Sequence, residues 1–382
     1  MRLWPSRRTA ALPDPPAENL PETEELLRSR VADVFAVRER EIRGGVIVFR
    51  GTLSMAPARA LDALTSRLAP FGYTPFLRED GDAVVLQAWP LPPAVMPRRI
   101  TLNVVLFVLT CVSTLLAGGF FSGSPTFDRL RETSAIGWLI SGTPFAATVL
   151  AILGIHEFGH YFAARSYRAS VSLPYFIPAP PPIFLFGTMG AIIRMRSPAR
   201  DRNSLFDIAA AGPLAGLAVA IPAMLIGLAW SSVMAAPAGG HVAFGNSLLM
   251  SALVHLRFGA VPAGMVVWTH PMADAAWAGF FVTALNLFPV GQLDGGRIAY
   301  ALFGRRHRLV GQITIVATLL LGLVTGATNW FFWAALVTLM IGFSHQPPLD
   351  DITPLSPGRR AVGLACLLLF VLLLPPVPLA ID

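Results

Sequence analysis

The chain contains no lysine; all 29 of its basic residues are arginine. That bias fits a GC-rich genome and bears on no mechanism. Charge of either sign is scarce: 13% of the 382 residues are charged and 54% are hydrophobic. This balance excludes an ordinary soluble globule and calls for a polytopic membrane protein. Cysteine is nearly absent. Cys111 and Cys366 both lie in apolar stretches without metal-type spacing, so they read as buried thiols, and their spacing argues for no disulfide. No secretory signal is expected, because the first sufficiently long apolar stretch begins near residue 100.

The net charge of +7 could suggest nucleic acid, but its distribution excludes that partner. Residues 1–96 hold 12 Arg against 12 Asp+Glu, whereas residues 97–382 hold 17 against 10. The surplus arginines sit in short loops between apolar runs, where they act as topology signals. Placing the amino terminus in the cytoplasm puts 13 of these arginines, including Arg98, Arg165, Arg305 and Arg359, in inner loops. It leaves Arg129, Arg131 and Arg257 outside. The expectation is an integral protein of the bacterial cytoplasmic membrane with an odd number of spans.

Residues 1–22, rich in Pro and Arg, read as a disordered tail. Residues 23–92 read as a small soluble α/β domain on the cytoplasmic side. It has helices over Glu24–Glu41 and Pro57–Leu68, a strand over Gly45–Phe49, and a hairpin of Thr74–Leu77 with Ala83–Ala88. Residues 93–99 form a linker, and 100–382 form a membrane domain with its core at about 134–300. The fold class is thus an α-helical polytopic membrane protein of about seven transmembrane helices. Spans are expected at Ile100–Phe121, Ser134–Arg165, Leu205–Trp230, Met265–Leu287, Leu309–Thr325, Thr328–Phe343 and Ala361–Leu379. Between Ser170 and Met195, five prolines and two glycines interrupt an apolar run. A re-entrant loop or β-hairpin is expected there, with Gly187–Arg194 extended.

One string carries the chemistry: Ile155-His156-Glu157-Phe158-Gly159-His160. Histidines four apart fall on one helix face and can grip one metal ion, while the adjacent glutamate can take a proton from water. Titratable groups in an apolar helix are costly unless paired, coordinated or hydrated. Catalytic zinc takes three protein ligands, so a third must come from elsewhere. Asp294, in Asn286-Leu287-Phe288-Pro289-Val290-Gly291-Gln292-Leu293-Asp294-Gly295-Gly296-Arg297, lies at the same cytoplasmic level and is the candidate. A helix cap or an ion pair with Arg297 would also explain it. Asn286 fits either a substrate or oxyanion contact or a helix–helix hydrogen bond. Asp207 reads as a helix N-terminal charge, His270 with Asp274 as a weaker pair on the opposite side, and His241, His255, His307 and His345 as loop residues.

These strings, with Phe186-Gly187-Thr188-Met189-Gly190-Ala191, Ala211-Gly212-Pro213 and Thr283-Ala284-Leu285-Asn286, resemble the site-2 protease family of intramembrane zinc metalloproteases. The likeness covers roughly residues 100–345. It is to the branch with plant chloroplast and cyanobacterial members, lacking PDZ and CBS domains. The resemblance implies one Zn2+ held by His156, His160 and Asp294, with Glu157 as general base and Asn286 near the scissile bond. It also implies substrate pairing along Gly187–Arg194, including Gly187, Thr188, Gly190 and Ala191. Substrates would be single-span membrane proteins cut within or near their transmembrane segments. The alternative is a membrane metal-ion or proton-coupled transporter using the same His and Asp residues. Natural substrate and oligomeric state are not legible.

Overall fold

The computed structural model describes residues 20–91, 100–121, 129, 132–181, 184–236 and 242–381. The tail expected at 1–22 lies almost wholly outside the described residues, and the linker at 93–99 lies wholly outside them. The chain forms two compact units.

The first unit combines residues 20–91 with two distant segments, Ser197–Arg202 and Pro347–Pro354. Its elements are α1 (Leu20–Val31), β1 (Phe35–Arg43), β2 (Val46–Leu53), α2 (Pro57–Leu68), β3 (Thr74–Asp80) and β4 (Ala83–Trp89). The helix expected to run to Glu41 therefore stops at Val31. Gly44 and Gly45, at φ 56° and 82°, close a two-residue hairpin in which Arg43 faces Val46. That turn commits the preceding residues to a strand. Helix α2 lies where expected: Pro57 occupies its first turn, where no N–H is needed, and Ala60, Leu61, Leu64 and Leu68 are buried on one face.

The four strands pair antiparallel in the order β1-β2-β4-β3. The outer edge of β3 is not left open. The Leu77 N–H donates to Leu349 O (2.7 Å) and the Asp351 N–H to Leu77 O (3.0 Å). Leu349 and Asp350 in turn donate to Ala199 O and Arg200 O at 2.9 and 2.8 Å. Asp350, fully buried, accepts from the Ile352 and Thr353 amides and the Thr353 hydroxyl. Covering the edge satisfies backbone groups that would otherwise recruit another strand.

The second unit holds the apolar helices. Among the described residues, four stretches are long and apolar enough to cross a membrane: α3 (Ile100–Gly118), α5 (Thr143–Ser166), α6 (Arg202–Ala229) and the run Asp294–Thr325. These answer to four of the seven expected spans. A separate helix α4 (Ala135–Ser141) precedes α5, and the two break at Gly142, whose Cα packs against Leu115 O of α3. The remaining expected spans are shorter helices. The fourth divides into a strand, Met265–Trp268, and a helix of 16 residues, Pro271–Asn286. At 1.5 Å per residue a helix of that length reaches about 24 Å, short of a typical hydrocarbon core.

The proline-rich segment is the expected hairpin. Strands β5 (Tyr175–Pro178) and β6 (Thr188–Ile192) pair antiparallel, with Phe176 opposite Ala191. Helix α3 satisfies its irregular backbone: Asn103 Nδ2 donates to Leu173 O and Pro174 O (3.1 and 2.8 Å), and Ser113 Oγ donates to Gly187 O (2.6 Å). Protein cover of this kind is what lets non-helical backbone persist at membrane depth. The connection at 231–264 contains β7 (Ser232–Ala235), β8 (Val242–Phe244) and α7 (Leu248–Phe258). The first pairs with β9 (Met265–Trp268) and the second with β10 (Leu379–Ile381).

Candidate metal centre

His156, Glu157 and His160 lie on α5, and all three are buried. Asp294 opens the helix α9 (Asp294–Phe303), which follows α8 (Pro271–Asn286) after a tight turn. Gly295 and Gly296 make that turn possible. A Cβ on either would fall 1.8 Å from Leu287 O or 2.5 Å from Gly291 O. Without side chains there, the start of α9 folds back onto the backbone that ends α8 and delivers Asp294 to α5.

The distances fit a metal. His156 Nε2 is 3.1 Å from His160 Nε2, and Asp294 Oδ2 is 3.1 Å from His160 Nε2 and 3.6 Å from His156 Nε2. Ligands of a tetrahedral zinc, each about 2.0–2.1 Å from the ion, stand about 3.3 Å apart. The chain's three donors match that spacing. Two imidazole lone pairs and a carboxylate converging on one point are also the donor types zinc prefers. Among the described residues this is the one group of three or more His, Cys, Asp or Glu whose ligand atoms all lie within 4.8 Å of one another.

Helix α6 orients the second histidine. His160 Nδ1 is 2.6 Å from Ile208 O, so Nδ1–H donates and Nε2 keeps its lone pair for the metal. Pro213, inside α6, has no N–H to bond Ala209 O. Such a residue loosens the helical ladder in the turn that also carries Ile208. Gly212 then lets the imidazole lie against the helix, and Gly216 does the same for His156, whose Nδ1 would be 3.2 Å from an added Cβ.

Asn286, the last residue of α8, has its amide nitrogen 3.2 Å from His156 Nε2. It therefore sits at the rim of the metal position. Glu157 points toward the backbone N–H of Ile193, just beyond β6. Thr188 is held in the hairpin, donating to Ile177 O (2.9 Å) and accepting from the Gly190 N–H (3.0 Å). Gly187 and Gly190 adopt φ 74° and 100°, and Ala191 pairs with Phe176. The structure thus brings His156, His160, Asp294 and Asn286 together. It sets Glu157 toward the end of the hairpin strand that carries Thr188, Gly190 and Ala191.

The other polar residues go elsewhere. Asp207 binds Arg359 through both oxygens (2.7 Å each) and accepts from the Tyr167 hydroxyl, so an ion pair accompanies its place in the first turns of α6. Asp274 accepts from the Thr269 hydroxyl at 2.5 Å, and His270 caps α8 by accepting from the Met272 N–H. His255 is exposed, and His241 lies outside the described residues. His307 was expected in a loop but is buried at the start of a helix. The roles of Ile208 O and Gly212 were not legible. The string Ala211-Gly212-Pro213 was their one trace, and nothing local says that a histidine 52 positions away needs that glycine.

Comparison with known proteins agrees with this geometry. Residues 144–328 match the model of peptidase family M50. The chain is 31% identical over 370 residues to the probable zinc metalloprotease EGY2, chloroplastic, of Oryza sativa subsp. indica, covering 92% of this chain and 65% of the relative. It is 30% identical over 377 residues to the Arabidopsis thaliana protein of the same name (94% and 65%), and 35% identical over 243 residues to Arabidopsis EGY1 (61% and 42%). This chain thus spans about two thirds or less of the length of these relatives. No solved structure matches it. The metal-ligand geometry agrees with these likenesses: residues 144–328 match a peptidase family M50 (site-2 protease) domain, and the chain is similar to the chloroplastic EGY proteins.

Proposed function

We propose that the protein is a zinc metalloprotease that hydrolyses peptide bonds within or near transmembrane segments of single-span membrane proteins. The observation that carries this reading is the convergence of His156, His160 and Asp294 at zinc-like spacing beside Glu157. His156, His160 and Asp294 would hold a zinc ion, which would supply Lewis-acid chemistry, polarising a carbonyl and making water a stronger acid. Glu157 takes the proton from the attacking water and passes it to the leaving amine. The Asn286 carboxamide, at the rim of the site, donates to the scissile carbonyl oxygen.

A helical substrate hides its peptide bonds, since each carbonyl is already paired within the helix. It must unwind before cleavage. Strand addition along Gly187–Arg194 supplies partners for the freed backbone groups. Met189 and Ile192, both more than half exposed on β6, support an open apolar surface there. Arginine placement supports a cytoplasmic amino terminus and an odd number of spans. The small domain at 23–92 is a regulatory or partner-binding module without chemistry of its own.

The deciding experiment is zinc analysis of purified protein together with cleavage of model single-span substrates. Wild type is expected to bind one zinc and cleave, and Glu157→Gln to bind zinc without cleaving. Metal flux into sealed vesicles without proteolysis would favour a transporter instead.

A further inference from the structure

Helices α5 and α6 meet at the metal centre through glycine. A Cβ on Gly159 would fall 2.6 Å from Ala211 O, and one on Gly212 or Gly216 would meet His160 or His156. Glycine permits that close approach. It supplies no side-chain ridge to lodge in the facing groove, and interlocked ridges are what fix one helix against another. Yet the His160 Nδ1–H bond to Ile208 O, at 2.6 Å, depends on how far α6 has slid along α5. The register therefore needs a second point of attachment.

A polar knot at the ends of the same helices provides one. Tyr167 directly follows α5, about two turns beyond His160. Its hydroxyl donates to Asp207 Oδ2 on α6, and Asp207 adjoins Ile208. Arg359 belongs to the helix Pro357–Leu373. Its Nε donates to Asp207 Oδ1 and its Nη2 to Asp207 Oδ2, each at 2.7 Å, and Nη2 also reaches the Tyr167 hydroxyl at 3.4 Å. A two-pronged guanidinium–carboxylate pair fixes orientation as well as distance. The guanidinium is itself held, since Nη1 donates to Ser356 Oγ at 3.1 Å, and the Ser356 N–H donates to Asn203 Oδ1 at 3.0 Å. One turn past Arg359, a Cβ on Gly363 would come within 3.0 Å of Leu302 and 3.1 Å of Phe206. The helix carrying Arg359 thus rests on α6, which orients His160, and on α9, which begins with Asp294.

We propose that Arg359 is a positioning residue of the metal centre: by clamping Asp207 and Tyr167 together it locks α6 in register with α5 and keeps Ile208 O against His160. Arg359 acts through Asp207 and the adjoining Ile208, so its effect falls on ligand geometry. The role rests on metal binding at His156, His160 and Asp294 as read above, and not on proteolysis. The side chains of Arg359 and Asp207 are 36% and 28% exposed, so solvent screens much of their charge attraction. The shape of the fork is what the lock depends on, and a lysine cannot reproduce it.

The test titrates the full-length, metal-stripped protein in detergent with Co2+, whose visible absorption reports the geometry of its ligands. Arg359→Ala should weaken cobalt binding roughly tenfold, the low end for a ligand that loses its support. The visible band should shift while helical content by circular dichroism holds. Arg359→Lys should restore part of the affinity. Tyr167→Phe should shift affinity and band the same way by less. Combining Tyr167→Phe with Arg359→Ala should cost less than the sum of the two, since both break one lock. Wild-type affinity and an unmoved band in folded Arg359→Ala overturn the proposal. So does a loss of cobalt that only tracks a loss of helix, which marks a purely structural role. Should Arg359→Ala fail to fold, Tyr167→Phe decides: a band and affinity identical to wild type overturn the lock. If the variants loosen cobalt as expected while the zinc-loaded wild type cleaves no model substrate, the proteolytic reading fails and the positioning role stands.

Discussion

Gly212 lies directly against the imidazole of His160: a methyl group on its Cα would fall 2.1 Å from Nε2, the atom that faces the metal position. The added carbon would be fixed to the α6 backbone, so the His160 ring it meets must move. Gly212→Ala is expected to weaken zinc binding by roughly 10- to 100-fold, the range seen when a ligand loses its support. Helical content should be retained, because alanine favours the helix over glycine. Zinc titration with circular dichroism checks both, and undiminished affinity would contradict the packing described.

Removing the base should separate binding from chemistry. Glu157→Gln preserves size and hydrogen-bonding shape but accepts no proton. Turnover should fall by about 10²–10⁴-fold, the usual contribution of a positioned base, at unaltered zinc content. Asp294→Asn is expected to lose zinc itself, since the amide is a poorer ligand than a carboxylate. Elemental analysis of the two variants side by side distinguishes the roles.

The hairpin seat offers a different test. Gly187 adopts φ 74°, and a Cβ there would come within 2.3 Å of Ser113 O. A non-glycine residue in the left-handed region costs about 1–2 kcal/mol even without a clash. Gly187→Ala should unseat β6 from α3 and impair cleavage of helical substrates, with zinc retained. Hydrogen exchange over residues 188–192 should rise in the same variant. Normal exchange with normal cleavage would remove this strand from the substrate path.

In the first unit, the Arg67 guanidinium bonded to Asp33 holds that carboxyl below its usual range. A depressed folded pKa stabilises above the unfolded value, about 3.9. The contribution disappears as pH falls through the folded value. Asp33→Asn should therefore cause a small stability loss at pH 6 that vanishes in acid, small because the pair is exposed. Hydrogen exchange of α2 in the full chain, corrected for intrinsic rates, measures it. A difference that persists at pH 2 would point to some other cause.

Local pattern was enough for some of this. The bounds of α2 followed from Pro57 and a one-sided row of Ala60, Leu61, Leu64 and Leu68. It failed at Glu24–Glu41, where the helical row of Leu27, Val31, Val34 and Phe35 runs through a change of element, and the Gly44-Gly45 hairpin outweighed it. It also missed the burial of His307 at a helix start, because burial of an isolated histidine depends on elements that arrive from elsewhere in the chain; His345 does lie outside any helix or strand, as expected.

The sequence by itself determined the membrane character, through 54% hydrophobic residues, and the pairing of His156 with His160, through a helix that sets residues four apart on one face. Only the tertiary structure decided that Asp294, 134 positions from His160, reaches the same point, and that Gly212 and Ile208 O hold the ring there. The reason is range. Helical periodicity governs neighbours within a turn, whereas a three-ligand centre needs side chains whose meeting depends on the packing of α5, α6 and α9.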